Sequence, residues 1–149
     1  MVSNLDKVDP REIQMLQQYL NEFGQEIQTY SAQLELLEQR RIESLTAVDT
    51  INTIKENPKN TVLLQIGGGA SIKVKPVEED TILLNIGSDV VVEKTCDETA
   101  SYLTDRATEM EALEKKLTES ISNMQKQANE IAKKIENAYK QLQTAQQKQ

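Results

Sequence analysis

Hydrophobic positions in the first third of the chain recur at alternating intervals of three and four residues. This spacing is typical of a coiled-coil helix, because it keeps one apolar stripe against a partner helix. Asp9 and Glu12 form a capping box around Pro10, so we expect the helix to start there. Asn57-Pro58 predicts its end. The stripe consists of Ile13, Leu16, Leu20, Phe23, Ile27, Tyr30, Leu34 and Leu37, and continues less regularly through Arg41, Leu45, Val48 and Ile51 or Ile54.

The last third of the chain has the same spacing. Thr95 and Glu98 form a second capping box, which predicts a helix that runs close to the C-terminus. Both helices contain a step of four plus four residues, Leu37-Arg41-Leu45 and Leu113-Leu117-Ile121, which we expect to unwind the supercoil locally. The second stripe consists of Leu117, Ile121, Met124, Ala128, Ile131, Ile135, Ala138, Leu142 and Ala145, with Met110 and Leu113 upstream in a shifted frame.

Between the helices lie four short runs rich in Val, Ile and Leu, at residues 61–66, 71–75, 81–86 and 90–94. Gly67-Gly68-Gly69 and Gly87-Ser88-Asp89 separate the runs of each pair, so we expect two β-hairpins. A glycine-rich loop can also cradle a phosphate, but such a loop opens a helix. Here the glycine triplet leads into an alternating strand pattern, which favours the turn.

The hairpin strands are apolar on both faces and therefore need cover on both faces. The chain has no second sheet, so we expect another subunit to supply that cover. The sequence predicts one α+β domain over residues 1–149, an antiparallel coiled-coil hairpin of helices 10–57 and 96–147 with two oligomerising β-hairpins at 61–94. The predicted oligomerisation residues are Val62, Leu63, Leu64, Ile66, Ile72, Val74, Ile82, Leu83, Leu84, Ile86, Val90, Val91 and Val92.

Composition argues against several classes of function. The chain has no His and a single Cys, Cys96, so it lacks the commonest general base and cannot form an internal disulfide or a Cys-rich zinc site. It has no apolar run of the roughly 20 residues that a membrane helix needs, and no signal peptide. The net charge of −7 argues against nucleic acid as a ligand. We therefore expect a cytoplasmic protein that is not an enzyme, with no catalytic residue, metal, cofactor, nucleic acid or membrane partner.

Charge differs between the two helical stretches. Residues 11–39 contain one Arg and five Glu, whereas residues 115–149 contain seven Lys and three Glu. We expect these stretches to lie side by side in the antiparallel pair, and binding of an anionic partner by the lysines is the alternative. Cys96 begins the second helix, where the helix N-terminus could lower the pKa of its thiol.

The order of one long helix, two hairpins and a second long helix resembles the α-type subunit of prefoldin, of the archaeal kind. The resemblance is clearest in the hairpins, where the stretch from Val62-Leu-Leu-Gln-Ile-Gly through Ile82-Leu-Leu-Asn-Ile-Gly-Ser-Asp-Val-Val-Val-Glu-Lys94 is similar to the α-type core, with a Gly turn in each hairpin. It extends from about Asp9 to Ala145. β-type subunits of that family have one hairpin, so the second hairpin favours the α type.

The resemblance implies a hexamer of two α-type and four β-type subunits, in which the hairpins form a double β-barrel platform. It also implies an ATP-independent holdase that captures unfolded proteins at the coiled-coil tips and delivers them to a group II chaperonin. The tips would use apolar residues near both helix ends, with Met and Tyr suited to varied clients. These client-binding candidates are Val8, Ile13, Met15, Leu16, Tyr19, Leu20, Ile135, Ala138, Tyr139 and Leu142.

Three alternatives remain open at this point. The candidate tip residues also suit the core of a coiled coil or, for Met15, Tyr19 and Tyr139, simple exposure. A structural adaptor that tethers fixed partners without binding unfolded protein would have similar helices, although it would not need the hairpins. An enzyme using carboxylates such as Asp80 and Glu93 would require a partly desolvated pocket, which nothing in the sequence predicts.

Overall fold

The structure, a computed structural model, describes residues 9–76 and 80–146. Its elements are helix α1 (Pro10–Glu56), strands β1 (Val62–Gly67), β2 (Ala70–Val74), β3 (Ile82–Gly87) and β4 (Val90–Lys94), and helix α2 (Cys96–Gln146). This order of elements confirms the predicted α+β class with two β-hairpins between long helices. Within the described ranges, neither helix has a stretch apolar and long enough to cross a membrane.

The chain divides into two units, each of which contains part of both helices. In the first unit, up to Leu36 and from Leu113 onward, the Gln17 side-chain amide donates a 3.0 Å hydrogen bond to the Tyr139 hydroxyl. The second unit, Leu37–Ala112, contains both hairpins, and in it Lys55 forms an ion pair with Asp97. The start of each helix thus lies beside the end of the other, as in an antiparallel pair.

Buried and half-buried positions follow an unbroken spacing of three and four residues along both helices. In α1 this spacing passes through the polar residues Arg41 and Ser44, and in α2 it passes through Glu114. Leu45, which the sequence pattern placed in the first stripe, and Leu113, which it placed in a shifted frame upstream of the second, are instead exposed. The predicted four-plus-four steps are therefore wrong. Each residue turns the helix by about 100°, so angular position decides which side chain faces the partner even where its neighbour is more apolar.

The capping box at the start of α2 is confirmed. The Thr95 hydroxyl accepts a hydrogen bond of 3.1 Å from the Glu98 N–H, and the Glu98 carboxylate accepts one of 3.0 Å from the Thr95 N–H. The bond from the Thr95 N–H lowers the pKa of Glu98, because it stabilises the charged carboxylate. At the start of α1, the Asp9 carboxylate accepts from the Arg11 N–H at 2.9 Å, instead of forming the predicted box with Glu12.

The two hairpins share one register and form two separate antiparallel sheets. Leu64 lies opposite Ile72 in the first hairpin, as Leu84 lies opposite Val92 in the second. Both registers shift by one residue just before the turn, and every pairing of the first hairpin recurs 20 residues later. The matching sequences and registers make the hairpins an internal structural repeat.

The turns of the repeat differ in how easily they adopt left-handed backbone. Gly68 and Gly69 have φ values of 60° and 80°, which glycine adopts without steric cost. At the equivalent positions of the second hairpin, Ser88 and Asp89 have φ values of 50° and 59°. Side chains with a Cβ are less stable there, although Asp tolerates this region better than most residues.

Candidate functional site

Each hairpin has two faces, because paired residues in an antiparallel ladder point to the same side. We name each face after one of its leucines. The Leu64 face consists of Val62, Leu64, Ile72 and Val74, and the Leu63 face of Leu63, Gln65, Ser71 and Lys73. In the second hairpin, the Leu84 face consists of Ile82, Leu84, Val92 and Lys94, and the Leu83 face of Leu83, Asn85, Val91 and Glu93.

The Leu84 face packs on the helices of its own unit. Leu84 is only 8% exposed. It lines the grooves between β3 and the helices together with Ala47 of α1 and Leu103 of α2. The expectation that another subunit covers both faces of both hairpins is therefore wrong for this face. Ala47 lines both grooves beside Leu84, a role that its modest hydrophobicity did not reveal.

The other predicted hairpin residues remain accessible within the chain. Leu63 and Leu83 are 65% and 75% exposed, and the Leu64 side chain is 52% exposed. Val62, Val74, Ile82 and Val92 are half-buried, whereas Ile66, Ile72, Ile86, Val90 and Val91 are exposed. So many exposed large apolar side chains on two short sheets with free edges are typical of a protein–protein contact.

An open groove of about 660 Å³ is lined by residues of α1, β3 and α2. The exposed side chains of Ile42 and Leu83 line it, together with Thr46 and Thr50. Thr99 of α2 also lines the groove. Its side-chain hydroxyl is buried and has no hydrogen-bond partner among the described residues. The sequence did not predict this groove, because Ile42 lies outside the coiled-coil stripe and no local pattern links it to β3.

Polar contacts fix the start of the second hairpin to the helices. The Asp80 carboxylate accepts a hydrogen bond of 3.2 Å from the Cys96 N–H. Hydrogen bonds from the Cys96 thiol and N–H lower the pKa of Asp80, and the same carboxylate together with burial raises the pKa of the thiol. The pKa of the Cys96 thiol is thus raised, although the thiol lies at a helix N-terminus that could have lowered it. The hydrogen bond to Asp97 raises the pKa of Lys55.

The candidate tip residues in the first unit fall into two groups. Ile13 is buried, and five others are half-buried in the coiled-coil stripe: Leu16, Leu20, Ile135, Ala138 and Leu142. Met15, Tyr19 and Tyr139 are about half exposed. The hydrogen bond from Gln17 holds the Tyr139 hydroxyl and leaves much of its ring accessible. Val8 lies outside the described residues.

Exposed apolar side chains also occur where the sequence pattern did not predict a site. Leu36 of α1 and Leu113 of α2, both in the first unit, are about half exposed. They lie many turns from the helix ends and match the tip residues in exposure. Substitutions of these two residues therefore provide controls for the tip residues, since they separate the effect of a side chain's position along the helix from the effect of its hydrophobicity.

Comparisons with known proteins give one consistent family. The family model described as a prefoldin subunit matches residues 23–141. The chain is 46% identical to a prefoldin subunit alpha of Methanoculleus marisnigri over 142 residues, which cover 95% of each chain. It is 47% identical to a prefoldin subunit alpha of Methanoregula boonei over 134 residues, 90% of this chain and 88% of that one.

Among solved structures, the fold is similar to a chain in the cryo-EM structure of filamentous PFD from Methanocaldococcus jannaschii. The TM-score is 0.66, and the match covers 79% of this chain and 98% of that chain at 16% sequence identity. At this identity the match shows a shared fold.

Proposed function

The chain belongs to the prefoldin family, and from this premise we propose that it is an α-type subunit of an ATP-independent holdase. Membership makes it a chaperone component that assembles with other prefoldin chains and not an enzyme. We propose that it works in the cytoplasm, captures non-native proteins at the ends of its coiled coil, and passes them to a group II chaperonin.

The proposed assembly is a hexamer of two copies of this chain and four β-type subunits, joined through the hairpins. Support comes from the exposed apolar side chains of both hairpins, with Leu63 and Leu83 the most accessible among them. Burial of such side chains stabilises an oligomer at about 25 cal/mol per Å² of apolar surface removed from water. Burial of the exposed hairpin side chains in an assembly would therefore stabilise it.

The observation that carries the client-binding proposal is the exposure of Met15, Tyr19 and Tyr139 near one end of the helix pair. A thioether adapts to irregular apolar surfaces, and a phenol ring contacts both apolar and polar groups. Each contact is weak alone. Several subunits that grip one client raise the effective concentration at every further contact, so weak contacts hold an unfolded chain without a folded pocket.

Suppression of aggregation by the assembled complex tests this proposal. We expect the triple variant Met15→Gln, Tyr19→Gln and Tyr139→Gln to suppress aggregation of an unfolded client several-fold less well than the unmodified complex. The control is Leu36→Gln with Leu113→Gln, which removes similarly exposed side chains far from the helix ends. This control should retain full suppression.

Two results would contradict client capture at these residues. One is full suppression by the triple variant, and the other is an equal loss in the control. Truncation before Arg11 and after Ile135 extends the test to both helix ends. If the intact complex suppresses no aggregation at all, the structural adaptor becomes the better description.

A further inference from the structure

The four methionines of the chain differ in their access to solvent. Met15, near the start of α1, is 56% exposed, whereas Met124 of α2 is only 9% exposed. Met110 is half-buried, and Met1 lies outside the described residues. Among the described residues, Met15 is therefore the methionine most open to dissolved reagents.

The single cysteine competes poorly with Met15 for oxidants. Cys96 is buried at the start of α2, and the hydrogen bond to the Asp80 carboxylate, together with burial, raises the pKa of its thiol. Oxidants attack the thiolate and not the neutral thiol, so a buried thiol with a raised pKa reacts slowly. The accessible sulfur of the described residues is thus a thioether, and it belongs to a residue proposed to bind clients.

We propose that Met15 is a modification site, at which oxidation to methionine sulfoxide weakens the capture of clients. This inference rests on the proposed function, because it adds a regulatory chemistry to one of the proposed client-binding residues. The oxidant is hydrogen peroxide. The thioether sulfur attacks one peroxide oxygen, and the O–O bond breaks as the S–O bond forms. The proton of the transferred oxygen passes to the departing hydroxide, so the peroxide is reduced to water while the sulfur is oxidised by two electrons.

Oxidation changes the property that suits Met15 to varied clients. A thioether is flexible and apolar and adapts to irregular surfaces, whereas a sulfoxide is polar and its oxygen accepts hydrogen bonds from water. Removal of that oxygen from water against an apolar client costs free energy, unless a donor replaces the water. Tyr19 lies one turn further along the same face of α1 and is similarly exposed, so the new polar group also lies beside a second client-binding candidate.

The oxidation is reversible, which distinguishes a switch from permanent damage. Methionine sulfoxide reductases return the thioether, as two thiols are oxidised to a disulfide and the oxygen leaves as water. Client contacts on several subunits act together, so a weaker contact at each copy of this chain lowers the overall binding more than a single loss would.

Peroxide treatment of the assembled complex, followed by mass spectrometry of its peptides, tests the site. At low peroxide, the peptide that contains Met15 should gain an oxygen atom before the peptides that contain Met110 and Met124. Suppression of client aggregation should then fall at least about twofold. Treatment with a methionine sulfoxide reductase and a thiol reductant should restore it.

Two variants of this chain assign the loss to one residue. A complex with Met15→Leu should keep whatever suppression it has before treatment, because a leucine side chain has no sulfur to oxidise. A complex with Met110→Leu and Met124→Leu should lose as much as the unmodified complex, since it retains Met15. Both complexes contain the same partner subunits, so oxidation of those subunits affects both equally.

Earlier oxidation of Met110 or Met124, or an equal loss in the Met15→Leu complex, would overturn the inference. Oxidation of Met15 that leaves suppression unchanged would overturn it too. If the triple variant described above still loses suppression in that case, client capture at the helix ends stands without the switch. If the untreated complex suppresses no aggregation, the proposed function fails and the switch fails with it.

Discussion

Leu64 and Leu84 occupy the same register position in two hairpins of one repeat, yet Leu64 is 52% exposed and Leu84 is 8% exposed. The difference lies outside the hairpins. Ala47 and Leu103 line the grooves beside Leu84, whereas Leu64 has no such cover among the described residues of its own chain. The same local sequence thus supplies an internal core residue in one hairpin and an accessible surface residue in the other.

This asymmetry predicts that the same substitution lowers the free energy of unfolding by different amounts at the two positions. Leu84→Ala should lower the free energy of unfolding of the isolated chain by about 2–4 kcal/mol, because it leaves a cavity against the helices. Leu64→Ala is the matched control and should cost less than about 1 kcal/mol, because its side chain is already half exposed. Urea denaturation followed by circular dichroism measures both values. Equal losses would mean that Leu84 is not covered by the helices as the structure has it.

Local patterns predicted the elements well, because each depends on neighbours in sequence. The capping box of Thr95 and Glu98 and the glycine turn at Gly68 and Gly69 are examples, since a few adjacent residues decide them. The cover of Leu84 could not be predicted in this way. Its hairpin has the same apolar pattern as the other, and the choice between them depends on contacts with distant residues such as Ala47.

Hydrophobicity alone also predicted the wrong stripe residues where it disagreed with helix geometry. Leu45 and Leu113 looked like stripe residues because they are the apolar side chains nearest to the expected positions. The structure instead places Ser44 and Glu114 there, since the spacing of three and four continues through them. A strict heptad count would have placed Ser44 and Glu114 in the stripe. The groove beside Ile42 has no such signal, because nothing local connects a residue outside the stripe to a strand about 40 residues later.

The turn of the second hairpin offers a stabilising substitution. Asp89 has a φ value of 59°, so Asp89→Gly relieves left-handed strain and should raise the free energy of unfolding by about 0.5 kcal/mol. The reverse substitution at the equivalent position, Gly69→Asp, should lower it by about 1 kcal/mol. Thermal unfolding of the two variants beside the parent chain measures both. Destabilisation by Asp89→Gly would show that the Asp89 side chain contributes more than its backbone costs.

Acid should weaken the link between the second hairpin and α2. Hydrogen bonds from Cys96 lower the pKa of Asp80 below its ordinary value of 3.8. A carboxyl group with a lowered folded-state pKa stabilises the fold fully above its unfolded pKa, and this contribution is lost as the pH falls through the folded value. The stability difference between the parent and Asp80→Asn should therefore be constant above about pH 5 and shrink below pH 3.8.

Urea denaturation of both proteins at a series of pH values measures this difference. Glu98 and Glu136 also have lowered pKa values, so the parent alone loses stability in acid for several reasons, and only the comparison isolates Asp80. Glu136→Gln is a control for the loss of a carboxylate that lies away from the hairpins. Glu136 interacts with Lys140 on α2 within the first unit, which contains no hairpin. A difference that does not change with pH would show that the charge of Asp80 has no part in the contact.

The buried hydroxyl of Thr99 predicts that one substitution at this buried position raises the free energy of unfolding. The side chain is 1% exposed and its hydroxyl has no hydrogen-bond partner among the described residues, so its desolvation is not compensated. Thr99→Val keeps the shape and removes the polar atom, and should raise the free energy of unfolding by about 1 kcal/mol. Thr99→Ala also removes the hydroxyl but loses a buried methyl group, and should lower stability by about 1 kcal/mol. If urea denaturation instead finds Thr99→Val destabilising, the hydroxyl is hydrogen-bonded in solution and its desolvation is compensated.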